Sequence, residues 1–357
     1  MGLIVTMKIL MCSVPFRPSV GGIETVSALL ADQFQRQGHS VTVVTQTACG
    51  VADSEPYAVL RRPSAWRLLQ AVRDCDVVLH NQISLRLAWP MLMVRRPWVV
   101  AHHTWLPRGG PGSWAGRVKR ACLRWALNVA VSDAVAADLA QPAQTIPNPY
   151  DRELFNCMPG VQRSRELVCV GRLVSDKGIP VLLHALVLLR QRGQLPRLSI
   201  IGSGPEEAAL RQRVHTLGLQ TQVRFAGSLV GQKLVRALNA HRVVVVPSVW
   251  EEPFGLVALE AQACGCIPVV AASGGLPQAA GPAGVVFAKS DPAALADCLA
   301  SVLSRAPLAA AAQDVRDTLA ADVQRHLQQH HPASVAAAYI RLFEDAQRAP
   351  APLARTA

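Results

Sequence analysis

Two consecutive α/β units, each a parallel sheet covered by helices on both faces, are what this sequence predicts. Short β-branched runs alternate with helix-period segments from residue 7 to about residue 290. The strand-like runs are apolar throughout instead of alternating, as strands buried on both faces are. The alternation breaks once, at "NPYDRELFNCMPGVQRSRE" (148–166), which is polar, contains Pro and lacks any period. A chain of 357 residues also exceeds one ordinary core.

In the first half, "MKILMCSV" (7–14) reads as a strand, followed by a Pro/Gly loop and a helix over "IETVSALLADQFQRQG" that ends at Gly. "SVTVVTQ" (40–46), "DVVLH" (76–80), "PWVVAHH" (97–103), "LNVAVS" (127–132) and "AQTIPN" (143–148) follow as strands. The pattern restarts with "ELVCVGR" (166–172) and a helix through "IPVLLHALVLLRQ". Strands at 197–204, 223–227, 242–248, 266–273 and 283–288 then alternate with helices at 205–217, 231–239 and 254–263. Helices fill 291 to the late 340s, and "RAPAPLARTA" reads as a disordered tail. The expected division is a Rossmann-like domain over 1–160, a second over 161–330, and a C-terminal helix and tail over 331–357 that crosses back to the first.

Composition narrows the function classes. Hydrophobic residues at 50% and charged residues at 17% describe a globular chain. No uninterrupted apolar run reaches the roughly 18 residues of a membrane span. "MGLIVTMKILMCSVPF" has no basic leader and no cleavage site, so a strand is expected there, with Met7 a plausible natural start. Nine cysteines without CxxC pairs suit reduced thiols in the cytoplasm, Cys264 and Cys266 being packing residues. Net charge is +12. The excess of the N-terminal half is concentrated in Arg61, Arg62, Arg67, Arg73, Arg86, Arg95, Arg96, Arg108, Arg117, Lys119, Arg120 and Arg124. "WAGRVKRACLRWAL" (114–127) sets apolar residues and cations at helical spacing, which suits an anionic membrane surface. The plain alternative is a solvated basic face. Nucleic acid is not the expected partner.

Ligands of open parallel sheets bind beyond the carboxyl ends of the strands, so features there weigh most. Gly21 and Gly22 stand directly before the first helix, where backbone can approach an anion, or merely turn. "AHHTW" ends another strand, with His102 and His103 on alternate sides. "GRLVSDKG" carries Arg172 and Lys177, a guanidinium and an ammonium fit to hold a diphosphate; two surface cations are the alternative. Gly202 and Gly204 in "IIGSGP" leave room for a ring or phosphate. In "PSVWEEPFGLVALEAQACGCIP" (247–268) the helix is expected to start near Phe254, with Glu252 in the loop and Glu260 about two turns in. Between the carboxylates, the N–H groups of Gly255, Leu256 and Val257 suit phosphate or hydroxyl oxygens. A capping Glu and a surface Glu would not explain Glu260 within so apolar a run. "DCD" (74–76) resembles a metal-binding DxD but lies at the wrong end of its strand.

Together "GGIE", "HHT", "VSDAVAADL", "IPNPYDRELF", "VGRLVSDKG", "IIGSGP" and "PSVWEEPFGLVALEAQACGCIPVVAASGGLP" resemble the retaining family-4 glycosyltransferases of the GT-B fold, over residues 8 to about 290. The resemblance implies two Rossmann-like domains facing a central cleft. It implies that Arg172 and Lys177 grip the donor diphosphate, Glu252 faces the donor sugar and Glu260 binds the ribose. Backbone amides from Phe254 to Val257 surround the sugar and distal phosphate, and His103 reaches the reaction centre. Gly21 and Gly22 underlie phosphates and acceptor, and the base lies near the turns after Ile201 and Phe225. Three departures are visible: "NPY" replaces the usual "NGV", Gln278 stands where the family has Glu, and the acceptor-side loops match nothing recognisable.

The implied activity is metal-free, retaining transfer of a hexose-type sugar from a UDP- or GDP-sugar to a glycan or lipid-linked acceptor. The setting is the cytoplasm or inner membrane face, in bacterial surface polysaccharide assembly. The nucleotide sugar is a co-substrate, and no cofactor is expected. Rival readings are a nucleotide-sugar 2-epimerase of the same architecture and a non-catalytic nucleotide-sugar binder.

Overall fold

The structure is a computed structural model that describes residues 6–19, 21–49, 54–106, 114–304 and 313–348, with backbone alone for 313–319. Arg108 and the tail after Arg348 lie outside the described residues.

The chain divides into two compact units, residues 1–149 with 330–357, and residues 150–329. In the first, the strands are β1 (Lys8–Ser13), β2 (Ser40–Thr45), β3 (Ala58–Arg61), β4 (Val77–Asn81), β5 (Trp98–His102), β6 (Leu127–Ala130) and β7 (Ala143–Thr145). They pair in parallel in the order β3-β2-β1-β4-β5-β6-β7. Its helices are α1 (Gly22–Arg36), α2 (Ala65–Asp74), α3 (Leu85–Ala88), α4 (Trp114–Cys122) and α5 (Asp133–Asp138). The second unit has β8 (Arg165–Val170), β9 (Leu198–Ile201), β10 (Val223–Phe225), β11 (His241–Val246), β12 (Ile267–Ala271) and β13 (Val285–Phe287), again parallel, in the order β10-β9-β8-β11-β12-β13. Its helices are α6 (Ile179–Gln191), α7 (Glu207–Thr216), α8 (Gly231–Asn239), α9 (Leu256–Ala263), α10 (Leu276–Ala280), α11 (Pro292–Ser304) and α12 (Gln313–Gln329). A final helix, α13 (Pro332–Arg348), belongs to the first unit.

Each sheet is the doubly wound arrangement expected from the strand spacing. Strand β3 escapes the sequence reading because it is a four-residue edge strand, half-exposed, that runs into Arg61 and Arg62. Helix α9 starts at Leu256, two residues later than expected. Gly255 before it adopts a left-handed conformation at φ 114°, which no helical residue shares. Glu260 therefore sits about one turn into the helix, not two.

Even-numbered strand residues Leu10, Val44, Val78 and Val100 pack under α2, α3 and α4, through Leu68, Leu87 and Cys122. On α1, Phe34 is fully buried against α13, its ring centroid 6.4 Å from Tyr339 and 5.7 Å from Phe343. This aromatic cluster ties the C-terminal helix to the first unit. Truncating Phe343 to Ala should cost about 3–5 kcal/mol, the range for a buried aromatic leaving a cavity. Urea denaturation of the variant measures that loss.

Candidate active site

Strand order reverses between β8 and β11, so the loops leaving those strands diverge and open a crevice at their carboxyl ends. Arg172 and Lys177 lie on one of these loops, and Glu252 on the other. A cavity there is lined by Arg172, Lys177, Pro247 and Ser248 over Val170 and Val246.

The two loops are joined by an ion pair. Lys177 Nζ donates to Glu252 Oε1 at 2.5 Å, and Ser248 Oγ donates to the same oxygen at 2.7 Å. Glu252 is buried and Ser248 fully so, while the Lys177 side chain is 28% exposed. Burying a carboxylate is costly unless it is paired and hydrogen-bonded, as it is here. A backbone seam adds to the pair: Val249 N–H and Trp250 N–H both donate to the Asp176 carbonyl, at 2.9 and 3.4 Å. Close approach dictates the residue type at Gly178, which has φ 64° and where a methyl would overlap the Pro247 carbonyl oxygen. The loop after β12 completes the clamp, with Gly275 N–H on the Glu252 carbonyl at 2.8 Å and Ser273 Oγ on the Trp250 carbonyl at 2.6 Å. Beside it, Lys289 pairs with Glu251 and lowers that carboxyl's pKa.

Arg172 is exposed at the mouth of this crevice, with no carboxylate within ion-pair distance among the described residues. Gly202 and Gly204 have a structural reason for their size: methyls there would overlap the carbonyl oxygens of Gly171 and Leu173. The space beside them is filled by the Arg172 loop, which their small size lets approach. Phe254 is a core residue. The first-turn N–H groups of Leu256 and Val257 find no carbonyl partner among the described residues. Gln278 is half-buried on α10.

Glu260 is half-buried on α9, and no hydrogen bond to its carboxyl is found among the described residues. Withdrawal from water, then the nearby Asp151 carboxylate, push its pKa up from 4.5 to about 7. Asp151 itself caps a turn by accepting from Leu154 N–H at 3.0 Å. Sequence reasoning missed Asp151 and Ser248, because neither carries a motif that declares its partner across the fold.

In the first unit, the corresponding reversal is between β1 and β4. Gly21 and Gly22 begin α1, but the Glu24 side chain folds back over Gly21 and accepts from Ser19 Oγ at 3.2 Å. The helix's own carboxylate thus occupies part of the place expected for an anion. His103 follows β5, buried, with Nδ1 3.1 Å from Asn148 Oδ1. Its neighbour His102 is buried as well. Among the described residues, no group of three or more His, Cys, Asp or Glu is placed to hold a metal ion.

Comparison with known proteins agrees with this arrangement. The Glycosyltransferase Family 4 model matches residues 20–154, and the model for Glycosyl transferases group 1 matches residues 159–314. The chain belongs to the family-4, group-1 glycosyltransferases. Among similar proteins, an uncharacterized glycosyltransferase of Methanocaldococcus jannaschii is 41% identical over 33% of this chain and 30% of its own length. A D-inositol 3-phosphate glycosyltransferase of Corynebacterium efficiens is 34% identical over 50% of this chain and 42% of its own length. The matched part is therefore less than half of these relatives. Anabaena HepE, solved in complex with UDP and glucose, superposes with a TM-score of 0.74 at 21% identity, covering 95% of this chain and all of that one. That likeness is one of fold, the GT-B pairing of two Rossmann-like units.

In this glycosyltransferase chain the Glu260 carboxyl has a thermodynamic cost. The folded protein keeps its proton up to about pH 7, whereas the unfolded chain releases it near 4.5. Stability from this group is complete below pH 4.5 and is lost as pH rises through 7. Glu260→Gln should therefore raise the thermal midpoint at pH 8 by a few degrees, with the gain vanishing near pH 4. Calorimetry across that range checks it.

Proposed function

We propose that the protein is a retaining glycosyltransferase that moves a hexose-type sugar from a UDP- or GDP-sugar to a hydroxyl of a glycan or lipid-linked acceptor. The observation that carries this reading is the crevice between the loops after β8 and β11, where Lys177 is already paired with buried Glu252 and Arg172 stands exposed. The UDP and glucose bound by the Anabaena relative agree with a donor of this class.

The residues take the following roles. Arg172 and Lys177 neutralise the diphosphate as the bond from the anomeric carbon to its oxygen breaks, so charge stabilisation comes from side chains in place of a metal. First-turn N–H groups of Leu256 and Val257 add to that field. Glu252, held by Ser248, orients Lys177 and accepts hydroxyls of the donor sugar. Glu260 accepts the ribose hydroxyls, which restores hydrogen bonds to a carboxyl that lacks them in the free protein. The acceptor oxygen forms the new bond on the face from which the diphosphate departs, and its proton passes to the departing phosphate oxygen. Front-face attack of this kind retains configuration. Gly202 and Gly204 act indirectly, by seating the Arg172 loop, and Gly21, Gly22 and His103 serve the acceptor side.

Peripheral attachment at the cytoplasmic face of a membrane belongs to the same proposal. Trp66 and Trp114 are 66% and 65% exposed, and Leu92, Met93 and Trp125 are exposed as well. They sit on the helical layer built from α2, α3 and α4 and the turns after them, which share one apolar cluster beneath. Arg73 lies over the Trp66 ring at 5.9 Å, and Arg96 bonds the Arg73 carbonyl. Tryptophans among arginines suit an anionic interface. Among the described residues no helix is long and apolar enough to cross a membrane.

Incubation with labelled UDP- and GDP-sugars tests the central reading: sugar transfer is expected, while epimer formation or binding without turnover would favour the rivals. Arg172→Ala should lower turnover by about 10²–10³-fold without moving the thermal midpoint, since the side chain is exposed. Lys177→Ala should lower turnover as far and also lower the midpoint, because it leaves Glu252 buried without its cation. Near-normal turnover in both variants would remove the assigned role. Vesicles with anionic lipid should sediment the protein at low salt and release it at high salt, and a Trp66→Ala, Trp114→Ala, Trp125→Ala variant should stay in solution.

A further inference from the structure

A buried polar chain in the first unit decides what His103 has to offer a ligand. Its first link is the backbone. Gln82, directly after β4, takes the left-handed conformation at φ 69°, a strained choice for a residue other than glycine. There its N–H donates to the Ala101 carbonyl at 2.8 Å, and its Oε1 accepts the His103 N–H at 3.0 Å. The second link is the ring. His103 Nδ1 faces Asn148 Oδ1 at 3.1 Å, just beyond β7. An amide oxygen only accepts, so the ring proton resides on Nδ1. The third link comes from the far end of the chain: His330, between α12 and α13, donates from Nδ1 to the Asn148 carbonyl at 2.9 Å. His103, Asn148 and His330 are all buried.

One atom is left over. His103 Nε2 is buried and has no partner among the described residues. With the proton on Nδ1, it presents a lone pair. Burial also holds the ring neutral, its pKa lowered to about 4. The neighbouring ring is fixed the other way round. Asn128 spends its NH₂ on the Leu123 and Ala126 carbonyls, so its Oδ1 accepts from His102 Nε2 at 3.0 Å. Adjacent histidines are thus held in opposite tautomers by two asparagines.

We propose that Asn148 is a positioning residue that locks His103 as its neutral Nδ1–H tautomer, with His330 in turn fixing Asn148, so that His103 meets the substrate as a hydrogen-bond acceptor for a hydroxyl. The site so formed selects a hydroxyl donor and rejects an anion, because a lone pair repels phosphate and carboxylate oxygens. That His103 meets a substrate hydroxyl, one on a sugar, rests on the glycosyltransferase reading. The tautomer lock is a property of the free protein.

Long-range ¹H–¹⁵N NMR of ¹⁵N-histidine protein, with His103 assigned by its loss in His103→Gln, reads the tautomer without substrate. A protonated Nδ1 and bare Nε2 are expected at pH 7; a protonated Nε2 overturns the proposal. Asn148→Asp replaces the amide by a carboxylate that favours the imidazolium. In this variant His103 should become doubly protonated at pH 7, and kcat should fall at least tenfold and recover as pH is raised through the new pKa. A variant that is charged at His103 yet keeps the wild-type kcat–pH profile overturns the positioning role. If Asn148→Asp does not fold, His330→Ala serves: a loss of the single-tautomer signature at His103 supports the relay, and an unchanged signature sinks its His330 limb. Failure of the glycosyltransferase reading would appear separately, as absence of nucleotide-sugar turnover with the wild-type spectrum intact.

Discussion

The Lys177–Glu252 ion pair is the contact on which the second unit's site depends. It exists because strand order reverses between β8 and β11, sending two loops apart over a gap that the ion pair and the Asp176 seam then span. Without the seam, both loops would carry unsatisfied backbone groups at the edge of a buried sheet. Ser248 and the Gly275 N–H hold Glu252 from two further directions. The glycines around the crevice serve the same purpose, since they let four loops meet at backbone distance.

The two units handle buried polarity in opposite ways. In the second, opposite charges are paired across two loops, so that the field of the crevice is oriented in the free protein. In the first, imidazoles are kept neutral by burial, and asparagine partners fix which ring nitrogen carries the proton. Glu260 stands between these strategies: withdrawn from water, close to Asp151 and without a cation among the described residues, its ionised form costs the protein stability. Such local conflict between stability and chemistry is characteristic of sites that bind through ionised groups.

Much of the site was legible in the sequence because its residues are consecutive or nearly so. Arg172 and Lys177 share one short loop, and Glu252 and Glu260 flank one helix start, so strand ends and helical period locate all four. The helix start itself was misplaced by two residues, since the left-handed turn at Gly255 looks like ordinary Gly until its φ is known. Strand β3 was missed because a short edge strand has no buried period to display. Ser248, Asp151, Gln82 and Asn148 were not assigned roles, as each acts on a residue supplied by a distant strand or loop.

Alternating strand and helix periods, a single aperiodic break and the chemistry of each loop follow from the order of residues alone, because local sterics and burial patterns act over a few neighbours. Which loop meets which does not. That Lys177 finds Glu252, that Asn148 fixes the proton of His103, and that a helix at the end of the chain closes over Phe34 near its start were decided by parallel winding and packing. These are long-range contacts, and only a folded core holds their partners close enough for hydrogen bonds and ion pairs to form.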